Sequence, residues 1–211
     1  ATPDLFKRLV AFGKKHGIVI CHDNPYSFIL NHQPLSILSV DGAKDGCIEL
    51  NSLSKSHNMT GWRMGMLASN PQFVKWILKE KSNIDSGQFK PMQLAAVAAL
   101  SEPDQWYDNM NMLYRERRRW AEMILLLLRC HFDKEQTGLF VWGKLPDYEA
   151  GSREFVDEIL YNAHVFLTPG AIFGSNGERY IRISLGANIS KLSEAYNRIE
   201  RYINSRMVTG G

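Results

Sequence analysis

Apolar residues recur with a helical period over residues 3–15, at Leu5, Phe6, Leu9, Val10 and Phe12, and Gly17 follows as a C-cap. Thr2 before Pro3 supplies the opening cap. Ile18–Cys21 is then a short unbroken apolar run, as expected of a strand buried on both faces. A loop rich in Asn, Pro and Gly fills 23–46. Cys47–Leu50 reads as a second buried strand that ends at serines, and Met64–Ala68 as a third, after a turn at Thr60-Gly61. Asn70-Pro71 opens a helix to about Ser82, and Pro91 opens an alanine-rich one to Leu100. From Asp104 to about Arg129, the residues Trp106, Met110, Leu113, Trp120, Ile124 and Leu128 trace one face of a helix of about seven turns.

Beyond that helix the pattern changes. Leu139–Trp142 is strand-like, and Ser152 caps a helix with Phe155, Val156, Ile159 and Leu160 on one side. Val165–Leu167 and Tyr180–Leu185 are strand-like, and Ser190 opens a last helix with Leu192, Ala195, Tyr196, Ile199, Tyr202 and Ile203 inward. The pattern predicts an α/β part, a long helix joining two bodies, and a compact α+β unit.

Composition narrows this little. The 211 residues are 45% hydrophobic and 22% charged, as in an ordinary globular protein, and the net charge of +3 is weak. Arg115, Arg117, Arg118 and Arg119 interleave with Glu116 and Glu122, which reads as a solvated helix face and not a nucleic-acid stripe. Three scattered cysteines and six dispersed histidines suggest neither a disulfide framework nor a metal site. The longest aliphatic run, Ile124–Leu128, is far short of a membrane span. A reducing, cytoplasmic compartment is expected. The chain opens on a helix cap without a methionine, so an upstream part is expected to be missing.

Candidate chemistry gathers at strand ends. The first strand runs out into His22-Asp23-Asn24-Pro25-Tyr26, the second into Ser52-Leu53-Ser54-Lys55, and Arg63 follows at the next turn. In open α/β sheets ligands bind outside the carboxyl ends of the strands. A carboxylate, a tyrosine, an amine, two hydroxyls and a guanidinium should therefore share one crevice, and a lysine so placed suits covalent capture of a carbonyl. From the residues alone, Asp23 could equally be a turn residue before Pro25, and Ser52 and Ser54 ordinary loop hydroxyls. His57 and Cys21 read as structural. Arg182 sits in an apolar strand and wants an anionic partner, with Arg179 as its competitor; alternation puts Arg182 on the face opposite Ile181 and Ile183.

Ser52-Leu53-Ser54-Lys55 with Arg63, preceded by Asp23-Asn24-Pro25-Tyr26, resembles the cofactor-lysine and pyridine-ring elements of the fold-type I, class I/II pyridoxal-phosphate-dependent aminotransferases. Thr168–Gly174 and Arg179–Ser184 resemble that family's substrate-carboxylate region. Ser82–Gly87, with Pro91 and Gln93, resembles the subgroup of alanine and LL-diaminopimelate aminotransferases. The resemblance covers essentially the whole chain and matches the C-terminal portion of the family. It implies transfer of an amino group between an amino acid and a 2-oxo acid, through a pyridoxal phosphate Schiff base on Lys55. Lys55 would also shuttle the proton. Asp23 would pair with the pyridine nitrogen, Tyr26 with the phenolic oxygen, Ser52, Ser54 and Arg63 with the phosphate, and Arg182 with the substrate carboxylate. The same motifs serve carbon–sulfur lyases, a cyclopropane-forming synthase and the cofactor-binding domains of some transcriptional regulators.

The resemblance also implies a fold class and a partner. The fold is expected to be a remnant of the large cofactor domain (residues 1–105, three neighbouring strands plus helices), a connecting helix (106–130) and a small C-terminal α+β domain (131–211). Both flanks of the remnant sheet would be open edges, and the chain by itself would be inactive. A homodimer is implied, with no nucleic-acid or membrane partner; the particular substrate is not legible.

Overall fold

The structure, a computed structural model, describes residues 1–209. Its first helix is bracketed by cap chemistry. Thr2 Oγ1 accepts from the Leu5 N–H at 3.2 Å, Pro3 takes the first helical position, and Gly17, at φ 64°, ends α1 (Pro3–His16) in the left-handed region. Strand β1 (Ile20–Asp23) pairs in parallel with β2 (Cys47–Ser52), which pairs antiparallel with β3 (Gly65–Ala68), in the order β1-β2-β3. The parallel pair puts the carboxyl ends of β1 and β2 at one edge. Antiparallel β3 starts at that edge, with Gly65 opposite Ser52. Gly65 permits the approach, since a Cβ there would stand 2.8 Å from the Asn51 carbonyl oxygen.

One face of this sheet is covered. Phe6 of α1 and Ile37, Ala43 and Cys47 form a buried cluster, with Leu9, Val10, Ile20 and Leu35 packed against it. The expectation that the first strand is buried on both faces is corrected, because Cys21 and Asp23 alternate outward and are exposed. A short helix α2 (Leu53–Ser56) leaves β2, and α3 (Pro71–Ile84) and α4 (Lys90–Leu100) follow. Asn70 Oδ1 caps α3 through the Phe73 N–H at 2.9 Å.

The fold class expected from the sequence, a domain remnant tied by a connecting helix to an α+β domain, is corrected by the packing. The chain divides between Tyr107 and Asp108 into two compact units, each with its own three-stranded sheet. Beyond its first turn the long helix, α5 (Gln105–Leu127), lies inside the second unit and buries Met110, Tyr114, Ala121, Ile124 and Leu125. A helix buried along that length is core, not a tether. Tyr114 takes a core place while Leu113 stays exposed.

The second unit adds β4 (Phe140–Lys144), α6 (Ser152–Ala163), β5 (Thr168–Pro169), β6 (Tyr180–Ser184) and α7 (Ile189–Thr209), with an antiparallel sheet in the order β4-β6-β5. Val165 and Leu167 are buried but lie outside any strand, and the ladder begins only at Thr168. Ser152 is no cap. It is the first residue of α6, fully buried, and its Oγ accepts from the Ala171 N–H at 3.1 Å. The arginine run is solvated only in part, because Arg117 donates to the Leu185 carbonyl and Arg118 to Glu122 and two backbone carbonyls. Among the described residues no helix is long and apolar enough to cross a membrane.

Candidate active site

Asp23 is the last residue of β1, and its register partner Leu50 precedes the turn into α2. Ser52 ends β2, Lys55 lies in α2, and Arg63 stands just before β3. The parallel β1–β2 pair and the antiparallel return of β3 thus bring Asp23, Ser52, Ser54, Lys55 and Arg63 to one edge of one sheet. Tyr26 follows Asp23 in the loop leaving that edge, half-buried.

The turn between Lys55 and Arg63 is tight. Asn58 and Arg63 adopt left-handed φ values of 54° and 53° around a 3-10 turn at Thr60–Trp62. Such backbone in non-glycine residues persists only where neighbours hold it. Here the Thr60 hydroxyl donates to the Ser54 carbonyl at 3.0 Å, and the Leu53 N–H donates to the Met64 carbonyl at 3.1 Å. Arg63 Nη1 reaches the Thr60 carbonyl at 3.2 Å, and its guanidinium has no carboxylate partner among the described residues.

The hydroxyls differ. Ser52 Oγ accepts from the Ser54 N–H at 3.1 Å and faces the Met64 carbonyl at 3.3 Å, so it already works as the cap of α2. Ser54 Oγ has no such engagement. Half-buried Lys55 and exposed Asp23 likewise make no side-chain hydrogen bond or ion pair among the described residues. One edge therefore presents a hydroxyl beside an amine, a carboxylate and a guanidinium, and none of the three charged groups is matched by one of opposite charge among the described residues.

Behind them lies an aromatic support. His57 is buried, with Nδ1 at 2.9 Å from Ser56 Oγ and Nε2 at 3.5 Å from the Tyr107 hydroxyl. Its ring stacks on Trp106, whose Nε1 donates to the Ser56 carbonyl at 2.9 Å, and Tyr107 stacks on Phe28. Loss of hydration on burial is the main cause that pushes the His57 imidazole below its ordinary pKa.

The second unit holds Arg182 on β6. Alternation buries Ile181 and Ile183 and leaves Arg182 half-buried on the other face. Its guanidinium carbon lies 4.0 Å from the centre of the Phe140 ring and 4.4 Å from that of Phe173, and its Nε is buried without a hydrogen-bond acceptor. Arg179 differs: it donates to the backbone carbonyls of Pro146, Glu149 and Ala150. Arg179 is a backbone tie. Arg182 is an arginine still lacking an anion.

One group escaped the sequence reading. Glu49, in the middle of β2, is buried and collects donors from His22, Asn24, Ser36 and the Ile37 N–H. A carboxylate inside the apolar run Cys47–Leu50 was the available signal.

A family model described as aminotransferase class I and II matches residues 1–199. The chain is 40% identical over 204 residues to the LL-diaminopimelate aminotransferase of Maridesulfovibrio salexigens, covering 95% of this chain and 52% of that protein. It is 40% identical over 201 residues to the enzyme of the same name from Aquifex aeolicus, covering 94% and 52%. The chain thus spans about half the length of the curated relatives it matches. Among solved structures, apo BacF from Bacillus subtilis superposes with a TM-score of 0.87 at 33% identity, over 95% of this chain and 54% of that one. An aromatic aminotransferase from Pyrococcus horikoshii gives 0.87 at 28% identity, over 98% and 56%. Both sheet-bearing units are included in these matches. The two-unit architecture, not a remnant with a separate connecting helix, is the fold that the solved structures share with this chain.

Proposed function

The chain belongs to the class I and II aminotransferases, and from that premise we propose that the whole protein moves an amino group between an amino acid and a 2-oxo acid, with pyridoxal phosphate held at Lys55. The observation that carries this reading is the set of unmatched groups at the shared edge of β1, β2 and β3. A phosphorylated pyridine aldehyde asks for an amine, a carboxylate and a guanidinium, and Lys55, Asp23 and Arg63 supply them at one sheet edge with no partner of opposite charge among the described residues. The residues fit the group.

Bound there, pyridoxal phosphate supplies an aldehyde that accepts and returns the amino group, and a ring that draws electrons from the substrate Cα. Lys55 holds the cofactor and moves a proton to and from the substrate Cα. Asp23 accepts the hydrogen bond of the ring nitrogen and keeps its proton in place. Tyr26 donates to the ring oxygen. Arg63 gives charge-assisted bonds to the phosphate. Ser54 adds a hydroxyl to it, and Ser52 can add a second if its proton turns from the Met64 carbonyl. Arg182 supplies the fork for the α-carboxylate of the substrate, and its unpaired Nε supports that assignment. A homodimer and a cytoplasmic location are part of the same reading, the first supported by the exposed Trp76, Leu78, Phe89 and Val97.

The test is a single-turnover half-reaction of the holoenzyme with amino donors, LL-diaminopimelate first because the relatives' names carry it. Conversion of donor to its 2-oxo acid without a second substrate is expected. Elimination products or no conversion with any donor would overturn the reading.

A further inference from the structure

We propose that Glu49 is a positioning residue for Asp23 and for the loop that carries Tyr26; this rests on the roles proposed above for those two residues. The register pairs His22 with Glu49 and Asp23 with Leu50. With period two, His22 and Glu49 lie on the covered face and Asp23 on the open one. The Asp23 side chain makes no hydrogen bond or ion pair among the described residues, yet both of its chain neighbours are fixed to Glu49. His22 Nδ1 lies 3.2 Å from Oε2, and Asn24 Nδ2 lies 3.3 Å from Oε1. The Asn24 N–H is also fixed, to the Leu50 carbonyl at 2.9 Å. An exposed carboxylate is thus aimed by a backbone that has no slack on either side.

The far end of the same loop closes on the same carboxyl group. Ser36 Oγ donates to Oε2 at 2.6 Å and the Ile37 N–H donates to it at 3.0 Å. Residues 24–37, Tyr26 among them, therefore start and finish on Glu49. Stability alone is a poor reason for this arrangement. Among the described residues no lysine or arginine pairs with Glu49, and an apolar side chain of similar volume would fill a buried strand position at less desolvation cost. What the carboxylate adds is two oxygens that accept from every direction.

Glu49→Gln keeps the shape but turns an NH2 toward either Asn24 or the three donors on the other oxygen. In the cofactor-free chain, amide hydrogen exchange at Asn24 should quicken about tenfold or more, beyond any change at Ile48. In the holoenzyme kcat should fall about tenfold or more with KM within about twofold, because the misplaced groups act on the ring and not on the substrate. Asn70→Ala, which removes the cap of α3 in the same unit, controls for lost stability and should do neither. Asn24→Ala removes the Oε1 contact together with the one to the Leu35 carbonyl, leaves the three donors on Oε2, and should shift exchange at position 24 and kcat in the same direction if Glu49→Gln does not fold. Unchanged Asn24 exchange, unchanged kcat, or equal effects in Asn70→Ala would overturn the proposal. A holoenzyme that carries its cofactor elsewhere than Lys55 would instead overturn the functional reading, while exchange at Asn24 still reports on the clamp.

Discussion

Arg182→Met separates a binding role from a structural one. Methionine keeps an unbranched stem and a polarisable end among Phe140, Trp142 and Phe173, so packing is largely preserved. Two rings face the guanidinium carbon at 4.0 and 4.4 Å, and at about 0.5–1 kcal/mol each their loss costs roughly 1–2 kcal/mol. Against this, the substitution removes a buried Nε–H without an acceptor, which burdens the native state by about 1–3 kcal/mol. The two terms nearly cancel, so the stability change should lie within about 1 kcal/mol. Function should not be spared. Two charge-assisted bonds to a substrate carboxylate are together worth about 3 kcal/mol, or roughly a hundredfold in kcat/KM. Urea unfolding reads the first quantity and steady-state kinetics of the holoenzyme the second. A donor amine lacking the α-carboxylate should react equally slowly with both proteins. Destabilisation above about 2 kcal/mol with kcat/KM within about threefold would show that Arg182 is a packing residue and refute the reasoning.

Further outcomes follow from other parts of the chain. Gly177→Ala would place a Cβ 2.1 Å from the Gly170 carbonyl oxygen, backbone against backbone, and should cost the second unit about 2 kcal/mol or more in urea unfolding. Burial pushes the Cys130 thiol up to about 12, and Cys47 is also raised, so iodoacetamide at pH 8 should label exposed Cys21 in the native chain and reach the other two only after unfolding. Burial holds the folded-state pKa of His57 below 6.5, so the unfolded state binds its proton first as pH falls. The stability this contributes is complete above pH 6.5 and lost as pH falls through the folded value; His57→Phe should flatten that part of the stability profile, read by urea unfolding at successive pH values.

Local chemistry was legible in the sequence because caps and strand ends depend on few residues. Thr2 and Asn70 cap through their side chains and Gly17 through a left-handed backbone, and the alternation around Arg182 agrees with buried Ile181 and Ile183. What escaped depends on partners distant in the chain. An apolar run such as Val165–Leu167 reports burial, which packing satisfies without ladder bonds, so it did not mark a strand. Ser152 resembled a cap because hydroxyls serve both helix ends and loops, and only the fold brings Ala171 to it. The length of α5 suggested a tether, but a helix is long either to span or to be packed against, and buried Tyr114 and Ala121 decide for packing. At the candidate site Lys55 and Arg63 stood out by spacing. The role of Glu49 required the parallel register with β1 and a loop that closes on it.

The central claim is that Lys55 is the amine that holds the cofactor. Incubation of the protein with pyridoxal phosphate, reduction with borohydride and peptide mapping tests it most directly. One label is predicted, on the peptide that contains Lys55, and Lys55→Ala should lose both the label and amino-group transfer. A label on another lysine, or full transfer by Lys55→Ala, would contradict the account.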